Sequence, residues 1–140
     1  MQRVLVIGSL SLAFLGLAVA CDREPPPPDL RFQMFHVDYA TKEIEKSMRN
    51  PELLGTVADS AAKIATLAAD ASFERYEAKP KYPLPADKLG QFREWRRLLG
   101  ERAAAVEQAA RAGNGMDVQL KFAQLRILCD TCHATFRPGL

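Results

Sequence analysis

The sequence predicts an all-α protein, an antiparallel four-helix bundle, and three observations predict it. Apolar residues recur at spacings of three and four along most of the chain and seldom at two, which is the period of a helix face. Prolines and glycines divide this pattern into separate helical segments with short or extended connections. After an N-terminal signal is set aside, about 120 residues remain, which suits one domain with a single core.

The first 20 residues are interpreted as a signal peptide. Arg3 precedes an apolar run from Val4 to Val19, which is shorter than a membrane-spanning helix needs and is followed by the Pro-rich sequence CDREPPPPD. Ala18-Val19-Ala20 suits ordinary cleavage and would release a soluble periplasmic protein, whereas Cys21 directly after LAVA resembles the cysteine of a bacterial lipobox. We therefore expect an exported, periplasmic lipoprotein, lipidated at Cys21, with residues 21–29 as a tether and no other contact with the membrane.

Residues 30–140 are expected to form the helical domain. The first helix covers about 30–49, and Asn50 with Pro51 suits the N-cap and first position of the second helix. The second helix carries a narrow seam of apolar residues, which are Leu54, Val57, Ala61, Ile64, Ala68 and Ala71. The prolines in the segment 73–85, FERYEAKPKYPLP, then predict an extended connection.

The last two helices follow this connection. The third should start near Pro85 and end at Gly113, and its buried side is expected to consist of Leu89, Phe92, Trp95, Leu99 and Val106. The fourth should begin near Met116. Its buried line is expected to consist of Val118, Phe122, Leu125, Cys129, Cys132 and Phe136.

Charge and motifs exclude several functions. The formal net charge of the whole chain is +2, and removal of Arg3 with the signal leaves it close to neutral, which argues against a nucleic-acid partner. The sequence shows no catalytic triad, acid–base pair or phosphate-binding loop, so we do not expect an enzyme. The arginines of REWRR are interpreted as a solvated helix face.

The sequence CDTCH near the C-terminus carries the functional information. A redox-active C-x-x-C pair normally follows a strand at a helix N-terminus, and a zinc site needs about four ligands, for which only His36 and Cys21 remain. Covalent haem requires two thiols three residues apart for its vinyl groups and an imidazole next to them for its iron. We therefore expect one haem c, with thioethers at Cys129 and Cys132 and the iron on His133.

The segment CDTCHATFR resembles the class II c-type cytochromes, the cytochrome c′ group, which carry C-x-x-C-H-x-x-Tyr/Phe-Arg on the last helix of a four-helix bundle. The resemblance is specific in this segment and extends to the rest of the domain only in architecture. It implies that Cys129 and Cys132 carry the haem, that His133 is the proximal ligand and that Arg137 lies beside the haem. Because members often dimerise through their first two helices, it also permits a homodimer.

The sixth iron position separates two functions. In the cytochrome c′ group an apolar side chain of the first helix blocks this position and the haem responds to gases, whereas low-spin relatives place a Met there. The first helix here offers Met34, His36 and Met48. A helical projection places His36 about 50° from the centre of the buried face and Met34 about 110° away. His36 is therefore the expected ligand, with Met34 and Met48 as alternatives and ordinary packing as the other role for all three.

Two imidazole ligands would leave no open position on the iron. The expected function is therefore that of a mono-haem c-type cytochrome that exchanges electrons with redox partner proteins by outer-sphere transfer. One alternative is a five-coordinate haem protein that binds NO or CO as a sensor or scavenger. Another is a haem-free thiol or metal-binding module. In the haem interpretations, one arginine of REWRR could reach a haem propionate.

Overall fold

The computed structural model describes residues 30–70 and 86–136, and every regular element in these two ranges is helical. The helices are α1 (Leu30–Ser47), α2 (Leu54–Ala69), α3 (Leu89–Arg111) and α4 (Gly115–Phe136). Single 3-10 turns at Pro51–Leu53 and Ala86–Lys88 precede α2 and α3. The all-α prediction is confirmed, and each helix begins and ends within a few residues of its expected limits.

Several predicted features lie outside the described residues. These are the signal peptide, the tether with Cys21, the connection 73–85 and Arg137. Within the two described ranges, no helix is both long enough and apolar enough to cross a membrane.

The turns between helices use the residues that the sequence predicted. The side chain of Asn50 accepts a hydrogen bond from the backbone N–H of Glu52 at 3.0 Å. Gly113 ends α3 with a φ of 71°, and its N–H donates to the carbonyl of Ala110 at 3.0 Å. The N–H of Asn114 donates to the carbonyl of Ala109 at 3.1 Å, so two carbonyls at the end of α3 are satisfied without water. The chain can therefore reverse tightly into α4.

Consecutive helices pack side by side as antiparallel pairs, α1 on α2, α2 on α3 and α3 on α4. Between α3 and α4, Trp95 lies 5.5 Å from Phe136 between ring centroids, and Arg102 donates to Gln124 at 2.9 Å. Later residues of α3 thus meet earlier residues of α4. As a result, the first turns of α3 and the last turns of α4 share one end of the bundle.

The core is a single cluster to which all four helices contribute. Its large, fully buried apolar side chains are Ile44, Val57, Ile64, Val106, Val118 and Leu125. Alanines that are also fully buried, Ala61 of α2 and Ala103 of α3 among them, leave room for these two helices to approach closely. The predicted seam of α2 is therefore confirmed up to Ala68. Gln33 and Thr41 are buried polar residues of α1 that the sequence did not predict, and the Thr41 hydroxyl donates to the carbonyl of Val37.

Helix α4 differs from the others because it also carries large apolar side chains on its outer face. Met116, Leu120 and Ile127 are 83%, 57% and 66% exposed. They follow each other at spacings of four and seven, so they form one line opposite the buried line of Val118 and Leu125. The apolar pattern of α4 alone therefore does not decide which face points inward.

We expect Gly113→Ala to lower the free energy of unfolding by about 1–2 kcal/mol, because an L side chain is strained at a φ of 71°. Gly90→Ala is the matched control, because a Cβ at this position within α3 meets no atom within 4 Å. The control should instead gain about 0.5–1 kcal/mol from helix propensity. Urea unfolding followed by circular dichroism measures both, and equal effects of the two variants would contradict the role given to Gly113.

Candidate functional site

Cys129 and Cys132 lie in the last two turns of α4, at the end of the bundle where α3 begins. Both are free thiols and half-buried, and they continue the line of Phe122 and Leu125, as the sequence predicted. His133 follows them and is exposed. The helix therefore presents the two thiols towards the interior and the imidazole at the surface.

Burial controls the chemistry of the two thiols. It raises the pKa of Cys129, an effect that the positive charge of Arg126 partly opposes. Burial together with the neighbouring Cys129 raises the pKa of Cys132 to about 11. Both thiols are therefore protonated at neutral pH. Reactive C-x-x-C pairs have the opposite property, a lowered thiol pKa at a helix N-terminus, so this geometry does not suit thiol–disulfide exchange.

An aromatic cluster closes the same end of the bundle. The ring of Phe136 lies edge-to-face against Phe92 and Trp95, with centroid distances of 5.4 Å and 5.5 Å. Phe136 is one helical turn after Cys132, and Phe92 and Trp95 belong to the first two turns of α3. The three rings therefore form an apolar wall one helical turn beyond Cys132, at the same end of the bundle as the thiols.

The two flanks of α1 differ in their neighbours, because only one of them faces α2 across a groove. Tyr39, Ala40 and Glu43 line an open groove of about 310 Å³, whose other wall is formed by Thr56, Asp59, Ser60 and Lys63 of α2. His36 precedes Tyr39 and Ala40 by three and four residues, so it lies on the flank that faces α2. Its ring makes edge contacts with Phe32 and Phe35 at 4.4 Å and 5.6 Å.

Met34 lies on the other flank of α1. It is half-buried and packs against the core cluster, as does Met48 two heptads later. The groove with α2 lies on the opposite flank. The flank with Met34 therefore faces away from that groove.

His133 lies on the corresponding flank of α4. Gln124 marks the flank of α4 that faces α3, since it accepts the hydrogen bond from Arg102. His133 follows Gln124 by nine residues, which is a rotation of about 180° around the helix. His133 thus faces away from α3. Met34 and His133 lie at the same end of the bundle, where α1 begins and α4 ends. Met34 is on the flank of α1 away from α2, and His133 is on the flank of α4 away from α3.

The position of Arg96 on the core line of α3, at this end of the bundle, is a feature that the sequence analysis missed. Arg96 was interpreted as part of a solvated face, yet it is half-buried and lies on the core line of α3. This line runs through Phe92, Arg96, Leu99, Ala103 and Val106 at alternating spacings of four and three. The spacing of Arg96 on this line can be read from the sequence. Its charge suggested a solvent-exposed position instead.

The side chains of Cys129, Cys132 and His133 can be compared with the ligands that a bare metal ion and a haem require. In the described ranges, no three His, Cys, Asp or Glu side chains come together in a way that could bind a bare metal ion. A haem makes a smaller demand, because its own ring supplies four nitrogens to the iron and the protein adds only axial ligands and thioethers. The site offers two half-buried thiols on one line, an adjacent imidazole and an apolar wall. This set suits the attachment of a haem better than the four ligands of a zinc site.

Comparison of the chain with protein-family models, curated proteins and solved structures gave no match. The resemblance to class II c-type cytochromes therefore stays a prediction, as do the roles of the cysteines and histidines.

The raised thiol pKa values predict the alkaline behaviour of the haem-free protein. The unfolded chain releases its thiol protons near 9.0, whereas folded Cys132 holds its proton up to about 11. The free energy of unfolding should therefore fall as the pH rises through this interval. Iodoacetamide should alkylate the folded protein slowly at neutral pH and faster as the pH approaches 11. The double variant Cys129→Ser/Cys132→Ser is the control for the unfolding measurement, and fast alkylation at neutral pH would contradict the burial.

Proposed function

We propose that this protein is an exported mono-haem c-type cytochrome that transfers electrons by an outer-sphere mechanism. One observation carries the proposal: C-x-x-C-H occupies the end of a bundle helix, with both thiols half-buried on the core line and the imidazole next to them. When bound, the haem would supply an iron that changes between the ferric and ferrous states. This proposal rests on the motif and its geometry.

Each residue of the site has a separate role in this proposal. The thiols of Cys129 and Cys132 would hold the haem through two thioether bonds, and the imidazole of His133 would hold the iron. Phe92, Trp95 and Phe136 exclude water from the ring. An apolar surrounding disfavours the extra positive charge of the ferric state, so this wall raises the reduction potential.

The geometry favours Met34 over His36 as the sixth iron ligand. Met34 lies on the flank of α1 that faces away from α2 and packs against the core cluster, whereas His36 lies on the flank that faces α2. Met48 shares the flank of Met34 but lies 14 residues further along α1, about 21 Å from it, so it belongs to the opposite end. His/Met ligation favours the ferrous state and raises the potential above that of two imidazoles. In this arrangement His36 packs against Phe32 and Phe35.

One observation favours the gas-binding alternative. The side chain of Met34 packs against the apolar core cluster. If Met34 kept this position with haem bound, it would not reach the iron, and NO or CO could bind in its place. Absorption spectra of the two oxidation states, with and without CO, separate this function from electron transfer.

The Met34→Ala variant tests the sixth ligand. We expect the unmodified protein to be low-spin, to show the sulfur-to-iron charge-transfer band and to be unaffected by CO. Met34→Ala should lose that band, bind CO and have a lower midpoint potential, while His36→Ala should keep the original spectrum. The reverse pattern in the two variants would assign the position to His36. CO binding by the unmodified protein would assign it to neither.

Covalent attachment is tested by removing the thiols. Cys129→Ala and Cys132→Ala should each retain one thioether, and the double variant should carry no haem that survives denaturation. Pyridine haemochrome spectra and haem staining of denaturing gels measure this after expression with the haem-attachment machinery. Cys21→Ala is the matched control, because it should keep the haem and lose only the lipid anchor. A colourless unmodified protein would refute the proposed function.

A further inference from the structure

The outer face of α1 carries three large aromatic side chains in its first three turns. Phe32, Phe35 and Tyr39 are 52%, 64% and 56% exposed. They follow each other at spacings of three and four, so they form one stripe along the helix. The stripe lies away from Val37 and Ile44, which α1 buries in the core. An exposed apolar stripe of this kind marks a surface that contacts another molecule or a membrane.

Basic side chains continue this stripe towards the other end of α1. Lys42 and Lys46 follow Tyr39 after three and seven residues, lie within about 60° of it around the helix, and are exposed. The acidic residues of α1 flank the stripe on its two sides: Asp38, Glu43 and Glu45. Asp38 accepts a hydrogen bond from Lys42 at 2.7 Å, and Glu43 lines the groove with α2. The three aromatic residues and the two lysines thus form one aromatic-basic face.

The composition of this face suits a phospholipid surface. Aromatic side chains place their apolar rings at the boundary between headgroups and acyl chains, where a tyrosine hydroxyl can stay in water. Lysine side chains extend their ammonium groups to the phosphates of anionic lipids. The exposed line of α4, by contrast, consists of Met116, Leu120 and Ile127, which are aliphatic. The aromatic-basic face of α1 is therefore the surface that fits an anionic membrane.

The expected lipid anchor would bring this face close to a membrane. Residues 21–29 separate the expected lipidation site, Cys21, from Leu30, where α1 begins. This segment spans at most about 30 Å when fully extended, and α1 itself is about 27 Å long. The face can therefore reach the membrane from the anchor. Since the anchor makes the second contact intramolecular, a weak affinity of the face for lipid is sufficient.

We propose that the aromatic-basic face of α1 rests on the surface of an anionic phospholipid membrane. This contact adds to the lipid at Cys21, which the sequence analysis expected to be the sole attachment. It uses a face that the two cysteines do not share, so it is independent of haem. The contact orients the bundle, because α1 then lies against the lipid while the core and the other helices lie behind it.

The Cys21→Ala chain lacks the lipid and therefore tests the face by itself. It should sediment with vesicles of phosphatidylethanolamine and phosphatidylglycerol, and less with phosphatidylcholine vesicles or at high salt. Adding Phe35→Ser should lower the vesicle partition coefficient about tenfold, because the phenyl ring no longer enters the lipid. Adding Lys42→Gln and Lys46→Gln together should lower it about tenfold on the anionic vesicles alone.

Ile127→Ser is the matched control, because Ile127 is 66% exposed on the outer face of α4 and Phe35 is 64% exposed on that of α1. It should leave vesicle binding unchanged. In the lipidated protein on the same vesicles, Phe35→Trp should add fluorescence that shifts to shorter wavelength and is quenched by brominated lipid. The fluorescence added by Ile127→Trp should show neither effect.

Three results would overturn the proposal. Equal vesicle binding with and without Phe35→Ser would show that the face does not touch lipid. An equal loss in Ile127→Ser would show that exposed apolar side chains act without regard to the face. A dimer in solution that Phe35→Ser converts to a monomer, together with no vesicle binding by the Cys21→Ala chain, would assign the face to a second copy of the protein. Circular dichroism of each variant should show an unchanged helix content, since all the replaced side chains are exposed.

Discussion

The close packing of α2 against α3 is the constraint on which the rest of the structure depends. Fully buried alanines, among them Ala61 and Ala103, let the two helices approach, and Gly100 lies where any side chain would meet α2. Helix α1 then packs on α2, and α4 packs on α3. Because α1 and α4 pack on opposite members of the central pair, each keeps a flank outside these contacts. Met34 and His133 lie on those flanks, so a group bound there would not disturb the central contact.

Much of this architecture could be predicted from the sequence because local rules determine it. The three-and-four spacing identified the helices, and the turn chemistry of Asn50 and of Gly113 identified where the chain bends. On α4, Val118, Phe122 and Leu125 are buried as predicted, although the outer face carries Met116, Leu120 and Ile127. The remaining members of the predicted line, Cys129, Cys132 and Phe136, are half-buried. The predicted line through Cys129 and Cys132 continues from Val118. Helix α4, which carries this line, follows the tight turn at Gly113.

The parts that sequence reasoning missed depend on tertiary packing. A projection of α1 gives the angle between a residue and the core centre, but it does not say which flank meets α2. The groove between α1 and α2 shows that His36 and Met34 lie on opposite flanks, and the choice between them as iron ligand stays a prediction. Arg96 was missed for a different reason, since its charge suggested a surface position although its spacing placed it on the core line. Cys21 and Arg137 lie outside the described residues and stay predictions.

The half-burial of Cys129 and Cys132 has a consequence for maturation under the proposed function. Docking of α4 on α3 withdraws both thiols partly from solvent and raises their pKa. A haem-attachment machinery would meet both thiols fully exposed only before this docking step. The time between synthesis of the motif and docking of α4 would then limit how much of the protein carries haem.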